Sequence, residues 1–317
     1  PLRTLRVLRG RGRKYRLLFR NRTGSTGKRP FTYTFPATLY VNDKRGSPPH
    51  PANQGFTMHK LLLAALAALS FTAHAAESLL ERIDNHGTIV VGTDGAYPPF
   101  NYHDDSGKLT GYDIEVTRAI ADKLGVKVDF QETLWDGMLA GLKSGRFDAV
   151  ANQVTLNTPE RRAAFAGAIP YSWTGAMVLT RKDDDRVHDI ADLKGLKAAQ
   201  TLNSNHAYRA EAAGAVLVPV ESLPQAMALV RQGRADLTLH DSLSMLEYLK
   251  RTPDSGLKVA WQAPPAEWEP SGLIVAKENE AAIAPIDAAL KELQADGTLK
   301  RLSEQFFGAD VSVRDAK

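Results

Sequence analysis

The chain has 317 residues, of which 43% are hydrophobic, so it is long enough for about two domains with substantial cores. It contains no cysteine, which excludes disulfides, a cysteine nucleophile and a lipid attached through cysteine. Its formal net charge of +4 is unevenly distributed, because residues 1–57 hold 13 of the 40 Lys and Arg residues and only one acid, Asp43.

Met58 begins the stretch MHKLLLAALAALSFTAHAAES, which has the order of a secretory signal peptide. A short basic start precedes an apolar run, and small residues at Ala73 and Ala75 match an A-x-A-like cleavage site. The apolar run is shorter than the roughly 20 residues that a membrane span needs. We therefore predict a signal peptide at 58–75, cleaved after Ala75, and a periplasmic mature chain; a buried helix is the alternative.

A signal peptide acts from the N-terminus of a protein, so residues 1–57 are unexpected. They begin without methionine and show little sustained apolar periodicity. We interpret them as upstream sequence translated from a misplaced start and predict that they are disordered. A genuine basic arm that binds phosphate through RVLRGRGRKYRLLFRNR is the alternative. Without residues 1–75 the net charge would be near −9, which argues against binding of nucleic acid.

Short apolar strands then alternate with amphipathic helices in two successive series. The first series has predicted strands at 88–93, 127–133 and 147–155 and helices at 111–125, 135–146 and 159–165. The second has strands at 176–181, 197–202, 216–220 and 235–241 and helices at 189–195, 204–214, 222–234 and 242–251. A final strand and two helices look like an addition to the first unit. This order predicts two α/β units with largely parallel sheets.

Polar residues gather at the predicted strand ends and helix starts, where α/β proteins usually bind ligands. No catalytic signature accompanies them, since the sequence lacks G-x-S-x-G, H-E-x-x-H, a Walker loop and a dinucleotide fingerprint. The candidates are Asn152, Gln153, Thr155, Arg161, Ser204, Asn205 and Asp241. An arginine with N–H donors on one side and a carboxylate on the other would suit a zwitterion, with Tyr97 and Trp135 as flat walls.

Each candidate also has a structural interpretation. Arg161 lies in the first turn of a helix, where the peptide dipoles disfavour a cation by about 0.3–1 kcal/mol. Either a carboxylate of the protein or an anionic ligand could offset that cost. Asp241 could be a helix N-cap, and Trp135 could pack within its own lobe. His103, His206 and His240 could be pocket residues, but the interpretation as surface or loop residues is favoured.

Several stretches resemble the type 3 periplasmic solute-binding proteins, which deliver amino acids to ABC importers. The resemblance covers nearly all of residues 79–313. It is carried by GTDGAYPPFNYHDDSGKLTGYDIEV, ETLWDGMLAGLKSGRFDAVANQVTLNTPERR, PYSWTGAMVL, GLKAAQTLNSN and ADGTLKRLSEQFFG, which look most like the cystine-binding members. It implies an α/β fold of the type II clamshell class, with two lobes joined by two crossing strands. Lobe 1 would comprise 79–175 and 268–313, and lobe 2 would comprise 176–267.

The resemblance also implies a role for each candidate. Tyr97 and Trp135 match the aromatic walls, Thr155 the hydroxyl that contacts the amino acid, Arg161 the carboxylate-binding arginine and Asp241 the ammonium-binding aspartate. The turn that caps the carboxylate falls at Asn203, Ser204 and Asn205. Two features depart from the family pattern. Asn203 replaces the usual glycine of the turn, and the spacing from Thr155 to Arg161 is one residue longer than in many members. The second leaves Arg161 and Arg162 as alternative anchors.

The implied function is that of a periplasmic substrate-binding protein of an ABC importer for polar amino acids, with cystine as the favoured ligand. Such a protein needs neither catalysis nor a cofactor, is expected to be a monomer and has the inner-membrane permease as its partner. Cysteine, diaminopimelate and other polar amino acids share the same zwitterion and remain open. The main alternative is an enzyme on this scaffold, like the cyclohexadienyl dehydratases, although the full zwitterion set argues against it.

Overall fold

The computed structural model describes residues 77–314 and two short strands near the start of the chain. These strands, β1 (Val7–Arg9) and β2 (Tyr15–Leu17), pair antiparallel within a separate unit at residues 1–72. Apart from them, the predictions for 1–57 and for the signal peptide at 58–75 lie outside the described residues. No helix of the described part is long and apolar enough to cross a membrane.

Residues 77–314 form a mixed α/β structure. Its strands are β3 (Thr88–Thr93), β4 (Ala96–Tyr97), β5 (Asn101–His103), β6 (Leu109–Thr110), β7 (Lys127–Glu132), β8 (Ala149–Val154), β9 (Phe165–Gly167), β10 (Ser172–Thr174), β11 (Ala176–Arg181), β12 (Lys197–Thr201), β13 (Val216–Val220), β14 (Leu237–Asp241), β15 (Leu257–Gln262) and β16 (Glu269–Ala276). Its helices are α1 (Leu79–Asp84), α2 (Tyr112–Leu124), α3 (Trp135–Lys143), α4 (Pro159–Ala164), α5 (Asn205–Ala212), α6 (Leu223–Arg231), α7 (Ser242–Arg251), α8 (Ile283–Ala295) and α9 (Thr298–Phe307). Short 3-10 helices occur at Ile190–Leu193, Pro265–Glu267 and Lys277–Ala282.

Two sheets divide this structure. The first has the strand order β10–β16–β8–β3–β7, with β9 also paired to β16, and the second has the order β13–β12–β14–β11–β15. We call the elements that pack on the first sheet lobe 1 and those on the second lobe 2; β4, β5 and β6 form a small separate sheet. The prediction of largely parallel sheets is wrong for two strands, because β16 and β11 run antiparallel to their neighbours.

Those two strands are the ones that follow a crossing between the lobes. β10 in lobe 1 ends at Thr174 and β11 in lobe 2 begins at Ala176, while β15 in lobe 2 is followed by β16 in lobe 1. Gly175 lies at the first crossing, where a Cβ atom would stand 2.7 Å from the indole ring of Trp268 at the second. A glycine is needed there because the two crossing segments approach so closely.

Helix α2 illustrates how the sequence specifies the packing of lobe 1. Tyr112, Val116 and Ile120 recur at helical spacing and are almost fully buried in the main hydrophobic core. The helix ends at Gly125, which adopts the left-handed conformation that glycine allows without strain.

Helix α3 provides a test of this packing at Phe147. A Cβ atom on Gly141 would stand 2.5 Å from Cε2 of the buried Phe147 ring. We expect Gly141→Ala to lower the free energy of unfolding by about 1–3 kcal/mol through overpacking, although alanine is the better helix former. Gly137→Ala in the same helix is the matched control, because its nearest neighbour, Thr133 Oγ1, is 3.5 Å away.

Urea unfolding of both variants measures the difference. The control should be neutral or stabilising by up to about 1 kcal/mol, since it gains only helix propensity. Equal effects of the two substitutions would contradict the tight contact at Phe147.

Candidate functional site

A cavity lies between the two lobes, and residues from both of them form its walls. Lobe 1 contributes Asp94, Tyr97, Trp135, Asn152 and Gln153, whereas lobe 2 contributes Thr201, Ser204, Asn205, His206, Ser222, Leu223 and His240. The cavity has a volume of about 40 Å³, far below the roughly 300 Å³ of an ordinary small-molecule pocket. The lobes therefore lie close together around it.

Several hydrogen bonds join the lobes around this cavity. The Tyr97 hydroxyl lies 2.8 Å from His240 Nδ1. Arg161 Nη2 donates to the carbonyl oxygen of Asn203 at 2.7 Å, and Asn205 Nδ2 donates to a carboxylate oxygen of Glu269 at 3.3 Å. These contacts describe a closed cleft.

Arg161 is held at the edge of the cleft by its own helix. Thr158 caps α4 by accepting from the Arg161 backbone N–H at 3.2 Å, as its position before proline predicts. The side chain is 6% exposed, its guanidinium carbon lies 5.6 Å from the centre of the Trp135 ring, and Nη1 donates to the Thr155 carbonyl at 2.9 Å. Burial lowers the pKa of Arg161.

No carboxylate of the described residues contacts this buried cation, although the negative charge of Glu269 raises the pKa of Arg161 and partly opposes the effect of burial. Within residues 77–314, no carboxylate oxygen lies within 4.0 Å of the Arg161 guanidinium. Arg162, by contrast, is exposed and donates to the carbonyl of Leu156. Of the two adjacent arginines, only Arg161 contacts residues of the cleft.

Asp241 ends strand β14 and is 4% exposed. It caps α7 by accepting from the Leu243 N–H at 2.9 Å, as its structural interpretation predicted, and its other oxygen accepts from the Thr174 hydroxyl. Burial raises the pKa of Asp241 to about 6. A cationic group beside this buried carboxylate would stabilise its charged form.

The other predicted residues are distributed around these two. Ser204 caps α5, with its hydroxyl accepting from the Ala207 N–H at 3.0 Å. The Asn203 backbone has a φ of 59°, the left-handed region in which glycine is usual, so asparagine keeps the turn and its carbonyl faces Arg161. The Thr155 hydroxyl lies 3.2 Å from that of Ser271, in a separate groove of about 240 Å³ rather than in the cavity between the lobes.

Asn152 and Gln153 are fixed by buried polar contacts of lobe 1. The Asn152 side-chain oxygen accepts from the Asp94 N–H at 2.9 Å. Gln153 has a φ of 51°, and its N–H donates to the Asp113 carboxylate at 2.8 Å. Burial raises the pKa of Asp113 to about 7. The end of β8 is thus shaped by a carboxylate on α2.

Sequence reasoning missed six residues of the cavity wall, which are Asp94, Thr201, His206, Ser222, Leu223 and His240. Asp94 follows strand β3, a strand-end position that could have marked it, and burial raises its pKa to about 6. The interpretation of His206 and His240 as surface or loop residues is wrong, because both line the cavity; that of His103 agrees with its exposed contact to Glu132. The positions of the two histidines could have marked them, because His206 lies in the first turn of α5 and His240 immediately precedes the last residue of β14. Among the described residues, no group of three or more His, Asp or Glu could hold a metal.

The fold and the cleft are those of a binding protein with two lobes, and similarity to known proteins identifies the family. The profile of the family "Bacterial extracellular solute-binding proteins, family 3" matches residues 89–309. The chain belongs to this family, and the resemblance to its sequence motifs is confirmed.

Two relatives match this chain over nearly the whole of their own length. One, a "Probable amino-acid ABC transporter-binding protein" of Haemophilus influenzae, is 42% identical over 251 residues, which is 79% of this chain and 96% of that one. The other, the "L-cystine-binding protein TcyA" of Bacillus subtilis, is 40% identical over 80% of this chain and 100% of that one. Both are binding proteins by name, which does not favour the dehydratase alternative.

Two solved structures confirm the two-lobe fold with two crossing segments. The L-cystine solute receptor of Neisseria gonorrhoeae, in the unliganded open conformation, is 58% identical, with a TM-score of 0.53 over 74% of this chain and 99% of that one. An ancestral arginine-binding protein bound to arginine is only 34% identical, yet its TM-score is 0.66 over 70% of this chain and 99% of that one. The better match to a liganded protein agrees with the closed cleft.

Proposed function

We propose that the chain is the periplasmic substrate-binding protein of an ABC importer for L-cystine. The observation that carries the proposal is Arg161, a buried cation beside the cleft with no carboxylate oxygen of residues 77–314 within 4.0 Å of its guanidinium. Removing a charge from water is costly unless a partner compensates for it, and a ligand carboxylate supplies that partner. The names of the relatives, two of which bind L-cystine, support cystine among the amino acids.

We assign the zwitterion to the predicted residues. Arg161 uses two of its five N–H groups on carbonyls of the protein, so others can bind the α-carboxylate together with the N–H groups at the start of α5. Asp241 accepts from the α-ammonium group. The proposed site is completed by the aromatic walls and the polar strand ends Tyr97, Trp135, Asn152, Gln153, Asn203, Ser204 and Asn205. Thr155 contributes through its carbonyl, which accepts from Arg161, because its hydroxyl lies in the separate groove.

Closure of the lobes is the proposed output of binding. A ligand that contacts both lobes shifts the population toward the closed state, which the permease in the inner membrane can recognise. We further propose a monomer with lobes at 79–175 with 268–313 and at 176–267, a signal peptide cleaved near Ala75, and no catalytic role.

A thermal-shift and calorimetry experiment tests the proposal. Protein beginning at Ala76 is mixed at neutral pH with cystine, with arginine as the control ligand, or with prephenate. We expect cystine to raise the melting temperature, because a ligand at 100 times its Kd stabilises the folded state by about 2.7 kcal/mol. Arginine should act more weakly. Absence of cystine binding would overturn the assignment, and turnover of prephenate would favour the dehydratase.

A further inference from the structure

Two histidines form a wall of the cleft that the zwitterion set leaves free. The His206 and His240 rings lie with their centres 4.7 Å apart, and both line the cavity between the lobes. Arg161 and Asp241, which we assign to the α-carboxylate and α-ammonium groups, do not line that cavity. The imidazoles therefore face the space available to the side chain of a bound amino acid.

The hydrogen bonds of this wall leave ring nitrogens available. His240 Nδ1 lies 2.8 Å from the Tyr97 hydroxyl, and a phenol donates readily to a neutral imidazole. With Nδ1 as the acceptor, the ring proton is on Nε2, which becomes a donor. His206 forms no side-chain hydrogen bond within residues 77–314, so its ring nitrogens have no partner there.

We propose that His206 and His240 determine which amino acid is bound, by presenting N–H donors to an acceptor group at the far end of the ligand. This proposal rests on the proposed function and concerns the same cleft. A two-headed amino acid such as cystine carries a second carboxylate at that end, next to a second ammonium group, whereas the side chains of arginine and lysine carry a cation and no acceptor there. The donors favour the first kind of ligand and disfavour the second.

Burial keeps the two imidazoles neutral in the closed cleft. Burial is the main reason that the pKa of His206 is well below its usual value, and His240, Arg209 and Arg161 lower it further. Burial also lowers the pKa of His240 to about 3. The other titratable groups near this wall are Tyr97, the buried carboxyl groups of Asp113 and Asp241, and the half-buried carboxyl group of Asp94.

Closure should therefore release protons. In an open cleft, water reaches both rings and an ordinary histidine pKa of about 6.5 applies. Below that pH the open state binds more protons than the closed one, so affinity falls as pH decreases. Each imidazole that must lose its proton weakens binding about tenfold at pH 5.5 relative to pH 8.

The test compares two ligands and three substitutions by calorimetry. Cystine has a distal carboxylate, whereas S-methyl-L-cysteine keeps the proximal zwitterion and lacks that group. His206→Phe and His240→Phe retain an aromatic ring without donors, and His188→Phe is the matched control on an exposed site of lobe 2. At pH 8 we expect each cleft variant to lose about tenfold or more in cystine affinity and less than threefold in S-methyl-L-cysteine affinity. The control should change neither.

Repeating the titrations at pH 5.5 gives the second readout. The unmodified protein should lose about tenfold per imidazole, and each cleft variant should lose one such factor less. Equal weakening of both ligands would overturn the proposal, because the rings would then only shape the cleft. An unchanged pH dependence in the double variant would also overturn it, because the released protons would then come from other groups. Failure of the unmodified protein to bind cystine at pH 8 would instead contradict the proposed function.

Discussion

Replacing Arg161 by alanine is expected to weaken cystine binding by about 3–5 kcal/mol, because the ligand carboxylate would be enclosed without its partner. The guanidinium is 6% exposed and fixed by the carbonyls of Thr155 and Asn203, one from each lobe. The bond to Thr155 lies within lobe 1 and orients the side chain before the ligand arrives, so little of the binding energy is spent on ordering it. The indole of Trp135 limits access of water on one side.

Arg162→Ala is the matched control for that substitution. The two residues are adjacent in α4 and carry the same charge, but Arg162 is exposed and contacts only the carbonyl of Leu156. Calorimetry with cystine should find less than a threefold change for the control. A loss of only a few-fold for Arg161→Ala, or an equal loss for both variants, would contradict the anchoring role. Circular dichroism and melting temperatures would show whether either variant is misfolded.

The parts of the fold with strong periodicity could be predicted from sequence. Helix α2 and strands β3 and β8 have apolar residues at the spacing that buries one face or a whole strand, so local pattern and tertiary environment agree. Strands β9 and β10 could not be predicted, because three residues are too few for a period. They exist because β16 offers them an antiparallel edge.

Long-range pairing also explains the error in strand direction. β11 and β16 carry ordinary strand sequences, and nothing in them states from which lobe the chain arrives. Each enters its sheet after a crossing, so it runs against its neighbours. The close contact of Gly175 with Trp268, which are far apart in sequence, became visible only in three dimensions.

Sequence could predict those parts of the candidate site that lie at helix starts, because proline and capping residues mark such positions. Pro159 and Thr158 specify the start of α4 and thereby the position of Arg161, and Ser204 specifies the start of α5. His206 and His240 carried no such signal, because histidine occurs on surfaces and in pockets alike. Only the approach of α5, β14 and Tyr97 from the other lobe identifies them as cavity residues.

Replacing Asp241 by asparagine is expected to weaken cystine binding by about 2–5 kcal/mol, because the ammonium group of the ligand would lose its buried charge partner. Asparagine has the same shape, and its side-chain oxygen can still accept from the Leu243 N–H that caps α7. Asp189→Asn is the matched control, since Asp189 caps an exposed turn of lobe 2 by accepting from the Ala191 N–H. Calorimetry at pH 7.5 should find its cystine affinity unchanged.

The same substitution should have the opposite effect on stability. Burial raises the pKa of Asp241 to about 6, above the roughly 3.9 of an unfolded chain. The folded state thus holds the proton more tightly, and this residue makes the protein less stable as pH rises from about 4 through 6. Without ligand, Asp241→Asn should therefore gain on the order of 1–3 kcal/mol over the unmodified protein between pH 4.5 and 7.5, measured by urea unfolding. Asp94 and Asp113 titrate in both proteins and cancel in the difference. If the variant loses both affinity and stability at pH 7.5, Asp241 serves as a helix cap of the fold and not as a ligand contact. If the variant loses affinity but gains stability, the carboxylate is kept in its buried position for a cationic ligand.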